Sequence, residues 1–229
     1  MSGTPRCEGS PAGFANRQGG AGKSTTAVLL GTELAHKGVP VTMLDCDPNH
    51  SLSIWAGKGR LPAGITALSD VTESSIVKTI KQHDVDGAVV IVDLEGVASR
   101  MVSRAISQAD LVIIPMRATI LDATIGAQSL QLIAEEEEAI DRKIAHAVVF
   151  TMTGNIRTNQ HKNIEASLRE GGIDIIEPPL TQRTAYSALF EFGGDLHTME
   201  SKQGNMATAI ENAEAFAMAV YKRLTEALQ

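Results

Sequence analysis

Residues 16–26 read Asn-Arg-Gln-Gly-Gly-Ala-Gly-Lys-Ser-Thr-Thr. Within this run, Gly-Gly-x-Gly-Lys-Ser-Thr is the core of a phosphate-binding loop. Gly19, Gly20 and Gly22 carry no Cβ, so the backbone can curl and aim successive N–H groups inward. Such N–H groups make an anion-sized nest, here running from Gly19 through Gly20, Ala21 and Gly22 to Lys23, Ser24 and Thr25. Lys23 is a compact charge that reaches the β- and γ-phosphates, and the Ser24 hydroxyl takes a place on Mg²⁺. An apolar helix follows (Ala27, Val28, Leu29, Leu30, Leu34), which sets the nest at a positive helix end. One position departs from the full pattern G-x-x-x-x-G-K-[ST]: its first glycine is Arg17.

Two acidic features complete the expected site. Asp93 ends the run Ala-Val-Val-Ile-Val-Asp. An aspartate at the carboxyl end of a buried strand is placed to reach a nucleotide's Mg²⁺ through water. Residues 93–96 read Asp-Leu-Glu-Gly, and the glycine can bring its N–H to a γ-phosphate. The bland alternative is a strand-ending Asp that caps the next helix. The second feature is Leu44-Asp45-Cys46-Asp47-Pro48-Asn49. Carboxylates two residues apart on an extended segment point the same way. Asp47 is the candidate to orient an attacking water, and Asp45 to support the metal shell. An acidic turn closed by Pro48 is the plain alternative.

The 229 residues suit one α/β domain, with 43% hydrophobic residues to build its core. Aromatics are 3%, too few for base-stacking platforms. A net charge of −7 excludes a uniformly basic nucleic-acid footprint. Cys7 and Cys46 form no C-x-x-C pair, and Cys46 reads as a small buried residue. A reducing, cytoplasmic setting is expected. No apolar run is long enough to span a bilayer, and the histidines show no metal-ligand spacing.

Apolar β-branched runs alternate with helical patterns, the signature of a mostly parallel sheet flanked by helices on both faces. Strands are expected at Val39–Asp45, Ala88–Asp93, Leu111–Pro115, Ala145–Thr151 and Ile173–Ile176. Helices are expected at Ser24–Lys37, Thr72–Gln82, Ser99–Gln108, Leu121–Ile140, Asn159–Glu170, Ala185–Phe192 and Met206–Leu228. The strand feeding the loop is the weak point, because residues 1–15 contain Pro5, Pro11, Gly3, Gly9 and Gly13. A short strand over Gly13–Asn16 is expected, with residues 1–12 a flexible segment and 13–229 a single domain. The acidic run Glu135–Glu138 reads as a solvated helix face rather than a docking patch. The C-terminal helix reads as packed rather than membrane-bound, having few bulky apolar residues and no strongly basic face.

Gly19–Thr25, Asp45-x-Asp47-Pro48 and the Asp93 strand stand in the order and spacing of the ParA/MinD group of deviant-Walker P-loop ATPases. The stretch Ala109–Pro115 and the Arg183…Ala185…Gly193 segment also resemble that group. The resemblance covers about residues 14–225, and looks most like small plasmid-type ParA proteins and their VirC-type relatives. It implies a Mg²⁺-ATP-dependent switch, dimerising with nucleotide between the subunits. It implies Lys23 on the phosphates, Ser24 on Mg²⁺, Asp47 positioning water and Asp93 in the metal shell. A centromere-binding or other activator protein is the implied partner. Nonspecific DNA binding by the ATP dimer is also implied, with Arg157, Lys162, Arg169, Lys222 and Arg223 the candidates on charge alone.

The group places a signature lysine immediately before Gly-Gly, and this chain has Gln18. A lysine is a full charge with three donors, whereas glutamine is neutral. A cation on a transferring phosphoryl group is a large catalytic term. ATP binding is therefore better supported than fast hydrolysis, unless the adjacent Arg17 substitutes. The competing reading is a nucleotide-binding regulator with lost or weak hydrolysis. A third reading, a ligase of the cobyric acid or dethiobiotin synthetase type, shares the loop but needs a second substrate pocket.

Overall fold

The structure, a computed structural model, describes residues 10–14, 20–96, 98–154, 156–199 and 204–229. Among them lie strands β1 (Ser10–Phe14), β2 (Val41–Cys46), β3 (Ile65–Leu68), β4 (Val89–Leu94), β5 (Leu111–Met116), β6 (Ala145–Thr153) and β7 (Asp174–Thr181). The helices are α1 (Lys23–His36), α2 (Ser51–Ala56), α3 (Ile76–His83), α4 (Arg100–Ile106), α5 (Ile120–Ile140), α6 (Asn159–Glu170), α7 (Thr184–Phe192) and α8 (Met206–Ala227). The strands form one sheet in the order β3-β2-β4-β1-β5-β6-β7. Every pairing is parallel.

Strand residues alternate between two apolar layers, as the two-residue period of a strand requires. Met43, Val89, Ile91, Ile113 and Val149 face α1, α2, α7 and α8, where Leu30, Trp55, Leu189 and Phe216 meet them. Leu44, Val90, Val92, Ile114 and Val148 face the opposite way, against Ile80 of α3, Val102 of α4 and Ile133 of α5. β2, β4 and β5 are buried along their whole length, which explains their continuous apolar sequence. Side-chain caps start several helices: Ser99 accepts from Val102 N, Thr119 from Asp122 N and Thr158 from His161 N. Each such cap contributes about 1 kcal/mol.

Most expected elements occur within a few residues of their expected bounds. β1 differs. It begins at Ser10, three residues before the expected Gly13, and ends at Phe14; Ala15 and Asn16 lie outside the described residues. Pro11 is accommodated because pairing with β5 begins only at Ala12, so the strand start has one neighbour, β4. α2 and β3 were not expected. α2 has six residues, and β3 is a short, half-buried edge strand, so neither carries a clear period. β7 runs past Ile176 through Pro178 and Pro179 to Thr181. It is an edge strand whose register slips between Val149 and Thr151, where missing N–H donors are tolerated. Phe216, Val220 and Leu224 of α8 are buried in the core, as expected of a packed terminal helix. No helix among the described residues is long and apolar enough to cross a membrane.

Candidate functional site

The order of the sheet puts the carboxyl ends of β2, β4 and β6 around the start of α1. Gly20 and Gly22 have φ of 104° and 83°, in the left-handed region that glycine enters without penalty. Gly22 is the N-cap of α1. Its carbonyl accepts the Thr26 hydroxyl at 2.7 Å and the Thr26 N–H at 2.8 Å. The Thr151 hydroxyl of β6 donates to the Ala21 carbonyl at 2.8 Å, holding the loop from across the sheet. Gly19, Gln18 and Arg17 lie outside the described residues.

Lys23 is buried, with its Nζ 3.9 Å from Asp47 Oδ2. Asp47 Oδ1 accepts Asn49 N and Asn49 Nδ2, both at 2.8 Å, so one oxygen fixes the turn and the other faces Lys23. Asp93 is fully buried and pairs in register with Asp45. Neither Asp93 oxygen has a hydrogen-bond partner. Burial pushes its pKa up to about 7. The Ser24 hydroxyl opposes that shift, near enough to favour the charged form without closing a bond of normal geometry. The Asp47 and Asp45 carboxylates raise the pKa further, and Lys23 lowers it. Lys23, Ser24, Asp47 and Asp93 are thus brought together as the sequence suggested.

Asp45 is differently engaged. Its Oδ2 accepts the Ser53 N–H at 2.8 Å and the Ser53 hydroxyl. Its Oδ1 accepts the Asp47 N–H at 3.3 Å. The carboxylate therefore ties the Asp47 turn to the first residues of α2. Cys46 between the two aspartates is buried. Its thiol is pushed up to about 12 by burial and then by Asp45 and Asp93, which leaves it unreactive.

Two adjoining cavities share Gly22, Thr25 and Met152. The first, of about 260 Å³, is lined by Gly20, Lys23, Ser24, Asp47, Asn49 and Phe190. The second, of about 90 Å³, lies against Thr151, Leu180, Gln182, Arg183 and Tyr186. Met152 has φ of 51°, an uncommon conformation for a non-glycine residue, and such outliers gather at ligand sites. Thr151, Met152, Phe190 and the second cavity are absent from the sequence reading. The signal for Thr151 and Met152 was their place at the carboxyl end of a parallel strand, where such sheets bind ligands.

The residues fit a nucleotide phosphate group with Mg²⁺. Two unpartnered, buried carboxylate oxygens facing a serine hydroxyl are what a hydrated cation would satisfy. A glycine nest capping a helix would take the anion. By contrast, the basic residues considered for DNA are mostly paired. Arg157 and Arg169 share Glu165 and Glu177, Lys222 meets Glu226 and Arg223 meets Asp174. Lys162 is exposed. Glu137 of the acidic run pairs with Lys143 at 2.7 Å and accepts the Ile144 N–H, bracing the end of α5.

The VirC1 protein family model matches residues 12–229. The chain belongs to the VirC1 family. It is 81% identical over 216 residues to Protein ParA of Rhizobium radiobacter, covering 94% of this chain and 97% of that one. Among solved structures it resembles an ATP complex of a Cyanothece McdA variant, at 16% identity and TM-score 0.73, covering 93% of this chain and 97% of that one. It also resembles a putative plasmid partition protein from Borrelia burgdorferi bound to AMPPNP, at 17% identity and TM-score 0.70, covering 93% and 99%. This VirC1-family chain is accordingly a ParA-like protein with a P-loop fold.

Proposed function

We propose that this chain is a ParA-like, Mg²⁺-ATP-dependent switch in plasmid or chromosome partitioning or a related positioning of DNA. In this reading the chain from Ser10, where β1 begins rather than at the expected residue 13, to residue 229 is one ATPase domain working in the cytoplasm. The observation that carries it is Asp93, whose two orphaned oxygens stand beside Ser24, Lys23 and Asp47 at the mouth of a glycine nest. The 81% identity to a protein named ParA supports the process.

Gly19, Gly20, Ala21, Gly22, Lys23, Ser24 and Thr25 bind the phosphates through backbone N–H groups and the Lys23 ammonium. The Ser24 hydroxyl, and Asp93 through water, hold Mg²⁺. Bound there, Mg²⁺ supplies charge neutralisation on the phosphate oxygens. Asp47 orients the attacking water; its Oδ1 is already fixed by Asn49, which leaves Oδ2 for that task. Asp45 acts on the shell indirectly, by fixing the Asp47 turn to Ser53. The second cavity takes the base, since it adjoins the nest at Gly22 and Thr25.

The switch forms an ATP-dependent homodimer, an activator such as a centromere-binding protein stimulates turnover, and the dimer engages DNA without sequence preference. A second reading, a nucleotide-binding regulator with little turnover, is favoured by Gln18 in place of the expected cation. Gln18→Lys separates them. In the switch reading the variant raises phosphate release and ATP-dependent sedimentation as a dimer, from a wild type that is slow but active. A wild type matching the variant in both would mean that Arg17 or another residue supplies the charge. A wild type inactive with partner and DNA would favour the regulator.

A further inference from the structure

α8 lines neither nucleotide cavity, yet one of its side chains holds a cavity wall in place. Asn212 Oδ1 accepts the Thr181 N–H at 3.1 Å and the Thr181 hydroxyl at 3.0 Å. Its Nδ2 donates to the Pro179 carbonyl at 2.9 Å. The Pro179 carbonyl can only accept and the Thr181 N–H can only donate, so the backbone itself fixes which way the amide points. The Tyr186 hydroxyl lies 3.0 Å from Oδ1 and 3.1 Å from the Ala209 carbonyl, sharing its one proton between them. One turn earlier on α8, the Thr208 hydroxyl accepts Arg183 Nη1 at 2.9 Å.

These partners are the wall of the second cavity. Thr181, Arg183 and Tyr186 all line it, as do Leu180 and Gln182 on either side of Thr181. The segment needs an external hold. It is the end of edge strand β7, it follows two prolines, and its pairing with β6 has slipped register. Pro178 and Pro179 donate nothing to the ladder, so the sheet alone binds this stretch weakly. Arg183 Nε is buried without a partner, while Nη1 donates to Thr208 and the guanidinium also acts on the Tyr186 hydroxyl, so Thr208 and Tyr186 together hold it against α8.

We propose that Asn212 is a positioning residue for the nucleotide base, acting by clamping the 179–186 wall from α8. The inference rests on the reading that the second cavity takes the base. Its signature is selectivity: the clamp serves the base cavity and leaves the glycine nest untouched. Asn212→Ala should weaken ATP binding about tenfold. Mg²⁺-tripolyphosphate, which has the phosphates and no base, should bind within about twofold of wild type. Both ligands are measured by calorimetry on the full chain. Thr208→Val, which removes one hydroxyl from the same wall, should show the same selectivity more weakly and serves if Asn212→Ala does not fold. Asn212→Asp keeps the acceptor to Thr181 but sets a second carboxylate oxygen against the Pro179 carbonyl, so it should not recover the ATP affinity. Loss of both ligands in equal measure, or an unchanged ATP affinity, would overturn the clamp. A wild type that prefers ATP over tripolyphosphate while the variants lose nothing overturns the clamp alone. A wild type without that preference overturns the base-cavity reading, and the clamp with it.

Discussion

Asp93→Asn should make the ligand-free protein more stable at pH 8, although it removes a residue assigned to the site. The native pKa of Asp93 is raised from 3.8 to about 7, chiefly by burial. At 1.36 kcal/mol per pKa unit, ionising this carboxylate costs the folded chain about 4 kcal/mol relative to the unfolded one. The sign follows from the raised pKa. The group's contribution is fully present below pH about 4, shrinks as pH rises, and is lost once pH passes about 7. Asparagine keeps the shape without the charge. Its buried amide carries a desolvation cost of about 1–3 kcal/mol, so the net gain expected at pH 8 is about 1–3 kcal/mol. The assay is urea unfolding at pH 5, 6, 7 and 8 in EDTA without nucleotide. The variant should gain on wild type from pH 5 to 7 and level off by pH 8. Saturating Mg²⁺-ATP should reverse the order at pH 8, because only wild type then has a carboxylate for the cation. A variant less stable at every pH, or a difference that does not change with pH, would refute the reasoning.

Two further substitutions probe the loop and its support. Lys23→Ala should raise the calorimetric Kd for Mg²⁺-ATP by about a hundredfold or more, since it deletes a buried cation from the phosphates; equal affinities would remove Lys23 from the site. His197→Ala should destabilise the chain by about 1–3 kcal/mol at pH 7, because buried Glu33 on α1 accepts from His197 Nε2 at 3.1 Å. That loss should shrink as pH falls, because burial raises the Glu33 pKa and the ring matters less to a protonated carboxyl; a loss that does not depend on pH would mean the ring contributes by packing alone.

The sequence carried the fold wherever a signal was local. The apolar runs at Val89–Leu94 and Leu111–Met116 predict buried strands because burial on both faces leaves no room for polar residues. The motif Gly19–Thr25 predicts a nest because its chemistry resides in consecutive backbone units, and Gly20 and Gly22 have the positive φ it requires. Asp47 and Asp93 were legible from their places at strand ends. What stayed hidden depends on contacts between distant segments. Thr151 reaches Ala21 across 130 positions, and Asn212 reaches Thr181 across 31. Asp45 had the right spacing for the metal shell, but its carboxylate is occupied by Ser53, eight residues on, in a helix too short to announce itself. Arg157, Arg169 and Arg223 looked available for DNA on charge alone, and only the fold reveals their carboxylate partners.

Binding of Mg²⁺-ATP at this site, and its hydrolysis with Asp47 orienting the water, is the central claim. Single-turnover phosphate release from ATP, in wild type and Asp47→Ala at equal nucleotide occupancy, tests it most directly. Wild type should release phosphate slowly and only with Mg²⁺. The variant should release none while keeping its ATP affinity, since a water-orienting group acts in the transition state. Release that persists in the Asp47→Ala protein, or a wild type that releases no phosphate at all, would contradict the claim.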